Sequence, residues 1–451
     1  MRDAYVGEDF ITQHVEACGR TDVPPILHEW AAVSMLAALV QDRVGVCISD
    51  HRGPLRLCQY IVLISASGAG KGQAVEFAMN LLHDAFIDGE TLDYQPVFRG
   101  GKAEAAINER LFKGLHLYAG TLTRGGLQDL LGTQVDPQTE KVAGLSPVKG
   151  HAKLYWIAEE MSYSFGVKAL ASELLRLLVG QKEKQRTTQQ TKIRKEKLHL
   201  TIKDPCINLL ACTTWAWLGS VLSGTDAVAG MLRRTHFVDV PYDYTGQRIE
   251  EEFPADVRVR REALMARIRV YAGLEVPHGR IGWRQSAFTR YKAWFEEMRN
   301  AVPEDEQALV VYGNRKTEVP KLAALSALSR WDYRDSEGLP MITVADVERG
   351  VRWWTMGYET APKLSIQTSE NPAVKEAAQV AAVLKRVTGE QVGAKVWEDK
   401  LAEVLGASGM VKRGIEEAIG TLVQRGWCRR VFHLEQRRYQ VEWLKPKEGG
   451  V

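Results

Sequence analysis

One segment near residue 60 limits the fold of this chain more than any other feature. Residues 60–64 read Tyr-Ile-Val-Leu-Ile, a short apolar run typical of a buried strand. The glycine-rich run Ser-Ala-Ser-Gly-Ala-Gly-Lys-Gly follows at 65–72, and apolar residues then recur at helical spacing. A strand that leads through such a loop directly into a helix predicts an α/β fold with a largely parallel sheet.

The loop has the composition of a phosphate-binding loop. Glycines let backbone N–H groups turn towards phosphate oxygens, and the N-terminus of the next helix adds positive potential. The predicted nucleotide contacts are Ser67, Gly68, Ala69, Gly70, Lys71, Gly72 and Gln73. Two positions depart from the G-x-x-x-x-G-K-[ST] pattern, because Ser65 replaces the first glycine and Gly72 replaces the residue whose hydroxyl binds Mg²⁺. A glycine-rich turn without a ligand is the plainer alternative.

Further strands are predicted at 115–121, 153–158, 207–213 and 235–240. Glu159 and Glu160 follow the second of these strands, which predicts a magnesium-side carboxylate acting through water (Glu159) and a base for the attacking water (Glu160). Thr214 ends the third strand and is a candidate for orienting that water. An exposed acidic pair and satisfied core hydroxyls are the alternatives.

Three arginines are candidates for stabilising transferred phosphate. Arg233 and Arg234 precede the fourth strand, and in oligomeric ATPases an arginine of one subunit can reach the γ-phosphate held by its neighbour. Arg234 is preferred over Arg233, with a solvated arginine pair as the alternative. Arg315 is predicted at the start of a helix over 316–330, where it would supply a second cation near the phosphates.

The order of these parts resembles a group of phage, plasmid and mobile-element P-loop proteins that are described as helicases or primase-associated helicases. They are similar to AAA+ ATPases of the superfamily 3 and minichromosome-maintenance type. The segments that carry the resemblance are PPILHEWAAVSMLAALVQDRVGV, the glycine-rich loop, GTLTRGGLQDLLG, IAEEM and GMLRRTHFV, within roughly 20–360. The resemblance implies an AAA+-like P-loop NTPase core, ATP and Mg²⁺ as cofactors, and a ring-shaped homo-oligomer, by resemblance a hexamer.

The expected domains follow from this reading and from a helix–helix–helix–strand–strand order near the C-terminus. They are an N-terminal helical extension packed on the core (1–55), the P-loop ATPase core (56–255), a helical lid (256–364), a linker (365–373) and an α+β winged helix-turn-helix domain (374–446). Other predicted helices cover 8–20, 27–41, 102–113, 124–132, 168–180, 258–272, 284–300 and 344–361.

The net charge of +3 excludes a protein that coats nucleic acid with bulk positive charge, but the charge is unevenly placed. Residues 182–203 carry eight Lys/Arg and two Glu (8 − 2 = +6), and 371–451 carry fourteen against ten Asp/Glu (14 − 10 = +4). The first segment predicts a basic β-hairpin. The predicted DNA contacts are Lys192, Arg194, Lys195 and Lys197 on this hairpin, and Lys412, Arg413, Arg429, Arg430, Arg437 and Arg438 on the winged helix. A solvated basic loop and a protein-docking module are the alternatives.

The remaining composition narrows the class of protein. Six cysteines without a CxxC pair argue against a disulfide scaffold and a zinc knuckle, and no apolar run approaches the roughly 20 residues of a membrane span. We therefore expect a cytoplasmic protein without a membrane partner. The tryptophans expected in the core, rather than stacked on bases, are Trp215, Trp217, Trp353 and Trp354.

Three functions agree with these patterns. The leading one is an ATP-dependent DNA helicase or translocase in the replication of a phage, plasmid or mobile element, acting on single-stranded or forked DNA with a primase or polymerase as candidate partner. The second is a nucleotide-binding, weakly hydrolysing DNA-binding initiator, loader or transposition regulator. The third is a defence or packaging ATPase.

Overall fold

A computed structural model describes the larger part of the 451-residue chain. The described residues are 8–18, 23–48, 54–87, 94–96, 109–112, 115–119, 133–135, 142–143, 153–158, 187–193, 196–202, 205–221, 233–241, 255–274, 279–303, 306–332, 338–368, 380–381, 383–384, 387–388, 391, 393–406, 412–424, 428–433, 436 and 438–444.

Most of the described strands lie in the first half of the chain, and the longest helices lie in the second half. The strands are β1 (Val44–Val46), β2 (Leu55–Arg56), β3 (Tyr60–Ile64), β4 (Tyr94–Pro96), β5 (Glu109–Phe112), β6 (Leu115–Ala119), β7 (Thr133–Val135), β8 (Val142–Ala143), β9 (Lys153–Ala158), β10 (Thr187–Ile193), β11 (Glu196–Ile202), β12 (Cys206–Thr213), β13 (His236–Asp239), β14 (Gly279–Ile281), β15 (Lys395–Trp397), β16 (Cys428–His433) and β17 (Arg438–Trp443). The continuous helices are α1 (Phe10–Cys18), α2 (Pro25–Val40), α3 (Lys71–Ile87), α4 (Trp215–Val221), α5 (Ala255–Ala272), α6 (Gln285–Arg299), α7 (Glu306–Ser329), α8 (Val344–Thr368), α9 (Glu398–Gly406) and α10 (Lys412–Gln424).

A mixed sheet lies at the centre of the first 240 residues, with the strand order β13-β3-β12-β9-β6-β5-β4. The first five strands of that order are mutually parallel, and β5 and β4 extend one edge in antiparallel pairing. Every residue of β3 and β12 is buried, the pattern of strands covered on both faces. The predicted α/β class with a parallel sheet is confirmed.

One hydrophobic core joins segments that the sequence had divided into an extension, a core and a lid. Helix α2 is buried on nearly all sides and packs against α1, α3, α5 and the sheet. Strand β1 pairs in parallel with β14, and the Ile11 backbone N–H donates to Ser329 Oγ at 2.9 Å. Residues on both sides of the predicted boundaries at 55 and near 255 therefore share one hydrophobic cluster. The reason is physical: a helix that is apolar all round must be covered on every face.

A buried arginine fixes the two ends of this core together. Arg267 of α5 donates to Tyr271 Oη at 2.7 Å and to the carbonyl oxygens of Ser329 at 2.5 Å and Trp331 at 3.2 Å, as well as to the carbonyl of Glu8. Its guanidinium also lies over the Phe10 ring. Four acceptors compensate the loss of hydration that burial of this charge requires.

Several predicted boundaries were wrong. The helix predicted at 316–330 begins at Glu306, and α8 continues to Thr368, so the first part of the predicted linker is helical. Part of the helix predicted at 102–113 is strand β5, because its backbone pairs with β6 and such pairing overrides local helical preference. The helices predicted at 124–132 and 168–180 lie outside the described residues.

The basic hairpin is present as predicted. Strands β10 and β11 pair in antiparallel register, with Thr187 opposite Ile202 and Ile193 opposite Glu196. They form the end of a separate sheet with the order β10-β11-β7-β8. The backbone register places Lys192 directly opposite Lys197 beside the turn.

The C-terminal part is a small α+β unit with its own hydrophobic cluster, formed by residues such as Val396, Leu401, Ile419 and Val441. Its antiparallel sheet has the order β15-β17-β16, and α9 and α10 lie between β15 and β16 in the chain. The short strand β15 was not predicted. Across the described residues, no helix combines the length and the apolar character needed to cross a lipid bilayer.

Candidate phosphate-binding site

The glycine-rich loop leaves the carboxyl end of β3 and enters α3 at Lys71. Gly68 (φ 81°) and Gly70 (φ 76°) have left-handed backbone conformations, which glycine adopts without the steric penalty of a Cβ atom. A Cβ at Gly70 would also lie 2.5 Å from Val23 Cγ2. The loop therefore requires glycine at Gly70 for two independent reasons.

Ser65 fixes the base of the loop between two neighbouring strands. Its backbone N–H donates to the Thr213 carbonyl at 3.3 Å, and its Oγ donates to the Val240 carbonyl at 2.6 Å. The Val240 N–H in turn donates to the Ile64 carbonyl at 2.8 Å. The serine that departs from the usual loop pattern thus has a structural role in this chain.

Lys71 holds its charge against the loop itself. Its Nζ donates to the carbonyl oxygens of Ser65 at 2.8 Å and Ala66 at 2.6 Å. Ser67 and Gly68 are exposed, so the outer side of the loop is open to a ligand. Because α3 begins at Lys71, the backbone N–H groups of its first turn have no acceptor within the helix.

The other departure, Gly72, lies on the surface. It is exposed, and a Cβ built there would meet no atom within 4 Å. The fold therefore does not require a glycine at this position to avoid a clash with a Cβ.

The loop lies where the strand order of the parallel sheet changes direction. The chain leaving β3 continues through α3 to β4 on one side of the sheet, whereas the chain leaving the adjacent β12 continues through α4 to β13 on the other side. Ligands of open α/β sheets bind in the crevice outside the carboxyl ends of such strands. The topology and the glycine loop thus select the same edge of the sheet.

Several polar groups share that edge. Thr214 Oγ1 accepts from the Trp217 N–H at 3.4 Å, so this threonine caps α4. Trp215 Nε1 donates to Asp239 Oδ1 at 2.9 Å, and Lys363 pairs with the other Asp239 oxygen. Sequence reasoning missed Asp239, although its position at the end of the strand next to β3 was a usable signal.

The predicted catalytic acids, Glu159 and Glu160, lie outside the described residues. Strand β9 ends at Ala158, directly before them, and is separated from β3 by β12. All three strands are parallel, so their carboxyl ends lie on one edge.

Arg234 lies at the amino-terminal ends of the parallel strands, opposite the edge that carries the loop. It precedes β13, whose His236 is level with Ile61 of β3, so about five residues separate it from the level of the loop, or roughly 16 Å at ~3.3 Å per strand residue. Arg234 is partly buried near Tyr60 and Glu318. Its pKa is lowered mainly by burial and, to a smaller extent, by the charge of Arg233. Arg234 therefore cannot contact a phosphate bound by its own loop.

Arg315 is in the middle of α7, not at its start. Its guanidinium lies 3.7 Å from the Tyr312 ring centroid and 4.3 Å from that of Phe295. The adjacent Asn314 donates to the Arg233 carbonyl at 2.7 Å. The structure therefore brings Arg315 together with the Arg233 segment and not with the glycine loop.

The predicted DNA contacts are only partly described. Arg194, Lys195 and Arg437 lie outside the described residues; Lys192, Lys197, Lys412 and Arg413 have described backbones. Three of the arginines predicted on the wing have acidic partners. Arg430 donates twice to Glu398 at 2.7 and 2.8 Å, Arg429 pairs with Glu442 at 2.7 Å, and Arg438 pairs with Asp399 at 3.5 Å. Phosphate would have to compete with these carboxylates.

The tryptophan prediction was right for two residues and wrong for one. Trp353 and Trp354 are 0% and 1% exposed in the core, but Trp217 is 50% exposed on α4, beside the carboxyl edge of the sheet. Trp215 is partly buried, and its Nε1 donates a hydrogen bond to Asp239.

In comparisons with known proteins, neither a protein-family model nor a curated protein sequence matches this chain.

Proposed function

We propose that this protein is a P-loop nucleoside triphosphatase of the AAA+-like kind that acts on DNA as a ring-forming helicase or translocase. The observation that carries the proposal is the loop at the switch point of the parallel sheet, with two left-handed glycines and Lys71 at the start of α3. ATP and Mg²⁺ are the proposed ligands, with Glu159 holding the metal through water and Glu160 as the base.

The position of Arg234 supports a composite site between subunits. Its distance from its own loop means that any contact of Arg234 with phosphate would be with a neighbour's phosphate, where a fixed cation stabilises charge in the transition state. A ring, with a hexamer as the specific proposal, supplies one such head-to-tail contact at every subunit boundary.

The hairpin and the C-terminal unit support an action on DNA. The paired register of Lys192 and Lys197 gathers positive charge beside the turn, together with Arg194 and Lys195 in the sequence. Cations at one end of a projecting hairpin can follow a phosphate backbone and release its counterions. The strand and helix order of the C-terminal unit agrees with a winged helix, which is proposed here as a second DNA contact.

Nucleotide binding is tested first, by equilibrium titration of the full chain with fluorescent ATP and Mg²⁺. Lys71→Ala is expected to weaken binding by roughly tenfold or more, because a charge-assisted contact to phosphate contributes about 1.5–3 kcal/mol. The matched control is Lys292→Ala, an exposed lysine on α6 whose ammonium lies over Phe288. Equal affinity of the two variants would refute the nucleotide site.

Turnover separates the enzyme from the alternative of a nucleotide-binding initiator, loader or regulator. The helicase proposal expects DNA-stimulated ATP hydrolysis that Glu160→Gln abolishes. Gly72→Thr adds a Cβ that meets no atom within 4 Å, and it should increase turnover if a missing magnesium ligand limits it. Binding without turnover above Glu160→Gln, in both backgrounds, would favour the initiator reading that the missing hydroxyl at Gly72 suggests.

A mixing experiment tests the shared site. Lys71→Ala and Arg234→Ala are each expected to be inactive, but random mixed rings contain boundaries with an intact lysine on one side and an intact arginine on the other. About a quarter of boundaries are then intact, so an equimolar mixture should recover about a quarter of wild-type turnover. Arg233→Ala is the matched control and should stay active. Failure of the mixture to exceed its parts, with rings present, would refute the role in trans.

A further inference from the structure

Three side chains that commonly bind metals meet between the first two helices. His14 and Cys18 lie one turn apart on α1, and His28 lies on α2. One potential ligand atom from each lies within 4.8 Å of the other two. His14 Nδ1 and Cys18 Sγ are 4.0 Å apart. In a bound zinc site, Zn–N of about 2.1 Å and Zn–S of about 2.3 Å place such donors close to this separation.

The cluster is buried, and its polar atoms are not fully used. His14 is 0% exposed, and its Nε2 has no hydrogen-bond partner. A buried polar nitrogen without a partner costs free energy that a native core normally avoids. Hydrogen bonding within the protein therefore leaves part of this arrangement without an explanation.

Aromatic packing explains part of the arrangement but not all of it. The His14 and Phe77 rings meet edge to face at 5.2 Å, and His28 meets Phe77 at 6.1 Å. These contacts account for two flat rings in an apolar core. They do not account for the Cys18 thiol directed at His14 Nδ1.

We propose that His14, Cys18 and His28 bind a closed-shell d10 cation, Zn²⁺ or Cu⁺, which links α1 to α2. Imidazole nitrogens and a thiolate are the donors that both ions prefer over hard oxygen ligands. Burial, reinforced by His28, lowers the pKa of His14 to about 3, so a neutral ring is available at pH 7. Burial raises the pKa of the Cys18 thiol, an effect that Arg261 opposes, so the bound cation itself must displace the thiol proton. This site is independent of nucleotide binding.

Charge distinguishes the two ions. A thiolate with Cu⁺ is neutral overall, whereas a thiolate with Zn²⁺ leaves one positive charge close to Arg261. Zn²⁺ also takes four ligands as a rule, and the described residues supply three. Both ions are therefore tested in separate arms: Zn²⁺ against a chromophoric chelator in air, and Cu⁺ against a copper(I) indicator without oxygen.

The experiment uses the reduced, chelator-stripped full chain with Zn²⁺, Cu⁺ and Co²⁺ as probes. Wild type is expected to bind one equivalent of Zn²⁺ or Cu⁺ and to give a thiolate-to-cobalt charge-transfer band with Co²⁺. Cys18→Ala should lose that band and weaken binding roughly 100-fold or more. Cys428→Ala, which removes a buried cysteine of the C-terminal unit, is the matched control and should behave as wild type.

Two results would overturn the site. One is failure of wild type to bind either ion or to show the cobalt band. This result does not depend on the folding of any variant. The other is an unchanged band and affinity in Cys18→Ala. If Cys18→Ala is unfolded, His28→Gln replaces it, with the same loss of affinity expected.

Discussion

Two glycines at the end of the glycine-rich loop, Gly70 and Gly72, should respond oppositely to substitution by alanine. Gly70→Ala places a side chain on a residue with φ 76°, which costs about 1–2 kcal/mol for an L-residue. Its Cβ would also lie 2.5 Å from Val23 Cγ2 and 3.2 Å from Val23 Cβ. Relief of that overlap adds about 1–3 kcal/mol, so the expected loss of stability is roughly 2–5 kcal/mol.

Gly72→Ala is the matched control. The new methyl group meets nothing within 4 Å, and the position lies in the first turn of α3. Alanine restricts the unfolded chain, so we expect the variant to gain about 0.4–1 kcal/mol.

Urea unfolding followed by tryptophan fluorescence measures both changes, and a double variant isolates the contact. Val23→Ala in the Gly70→Ala background should recover the overlap component, giving a coupling free energy of about 1 kcal/mol or more. The conformational cost at Gly70 should remain. Equal stability of the two single variants would refute the loop geometry, and absence of coupling would refute the contact with Val23.

Three further predictions concern other parts of the chain. Replacing Lys192 and Lys197 with alanine should weaken DNA binding and reduce the slope of log affinity against log salt by about 1–2. Alanine at Lys182 and Lys184 removes the same charge outside the two paired strands and should change that slope less. Equal slopes for the two variants in a filter-binding titration would contradict DNA binding by the hairpin. Arg267→Met should destabilise the fold by about 3–5 kcal/mol in chemical denaturation, because the acceptors it leaves are buried, and a loss below ~1 kcal/mol would contradict its role. Burial alone would raise the pKa of Glu318, but Lys321 and His236 lower it to about 2. The ionised Glu318 therefore stabilises the fold fully above pH 4.5, and this contribution is lost as the pH falls towards 2. Between pH 5 and 3.5, the free energy of unfolding of wild type should fall by about 1 kcal/mol more than that of Glu318→Gln, and parallel pH profiles would contradict this.

Local elements could be predicted from the sequence where neighbouring residues alone determine their conformation. The strand, loop and helix around Lys71 and the hairpin over Thr187–Ile202 follow from alternation, glycine placement and helical spacing. The buried strands of the parallel sheet were also predictable, because continuous apolar runs report burial on both faces.

Long-range packing explains most of what could not be predicted. The pairing of β1 with β14 joins residues more than 230 positions apart, and no local pattern specifies it. The apolar character of α2 showed that it is buried but not which helices bury it. Arg234 and Arg315 were predicted to lie near phosphate. Their distance from the glycine-rich loop follows from the parallel register of β13 with β3 and from the contact of Asn314 with Arg233, which no local pattern specifies.

The link between Ile11 and Ser329 has a consequence for the order of events during synthesis. These residues are 318 positions apart, so α1 waits for roughly 15–60 s at 5–20 residues per second before its partner leaves the ribosome. During that interval the apolar surface of α2 lacks the helices that cover it. Nascent chains of this protein should therefore depend on a holding chaperone, and chains truncated before α7 should be captured by it or aggregate.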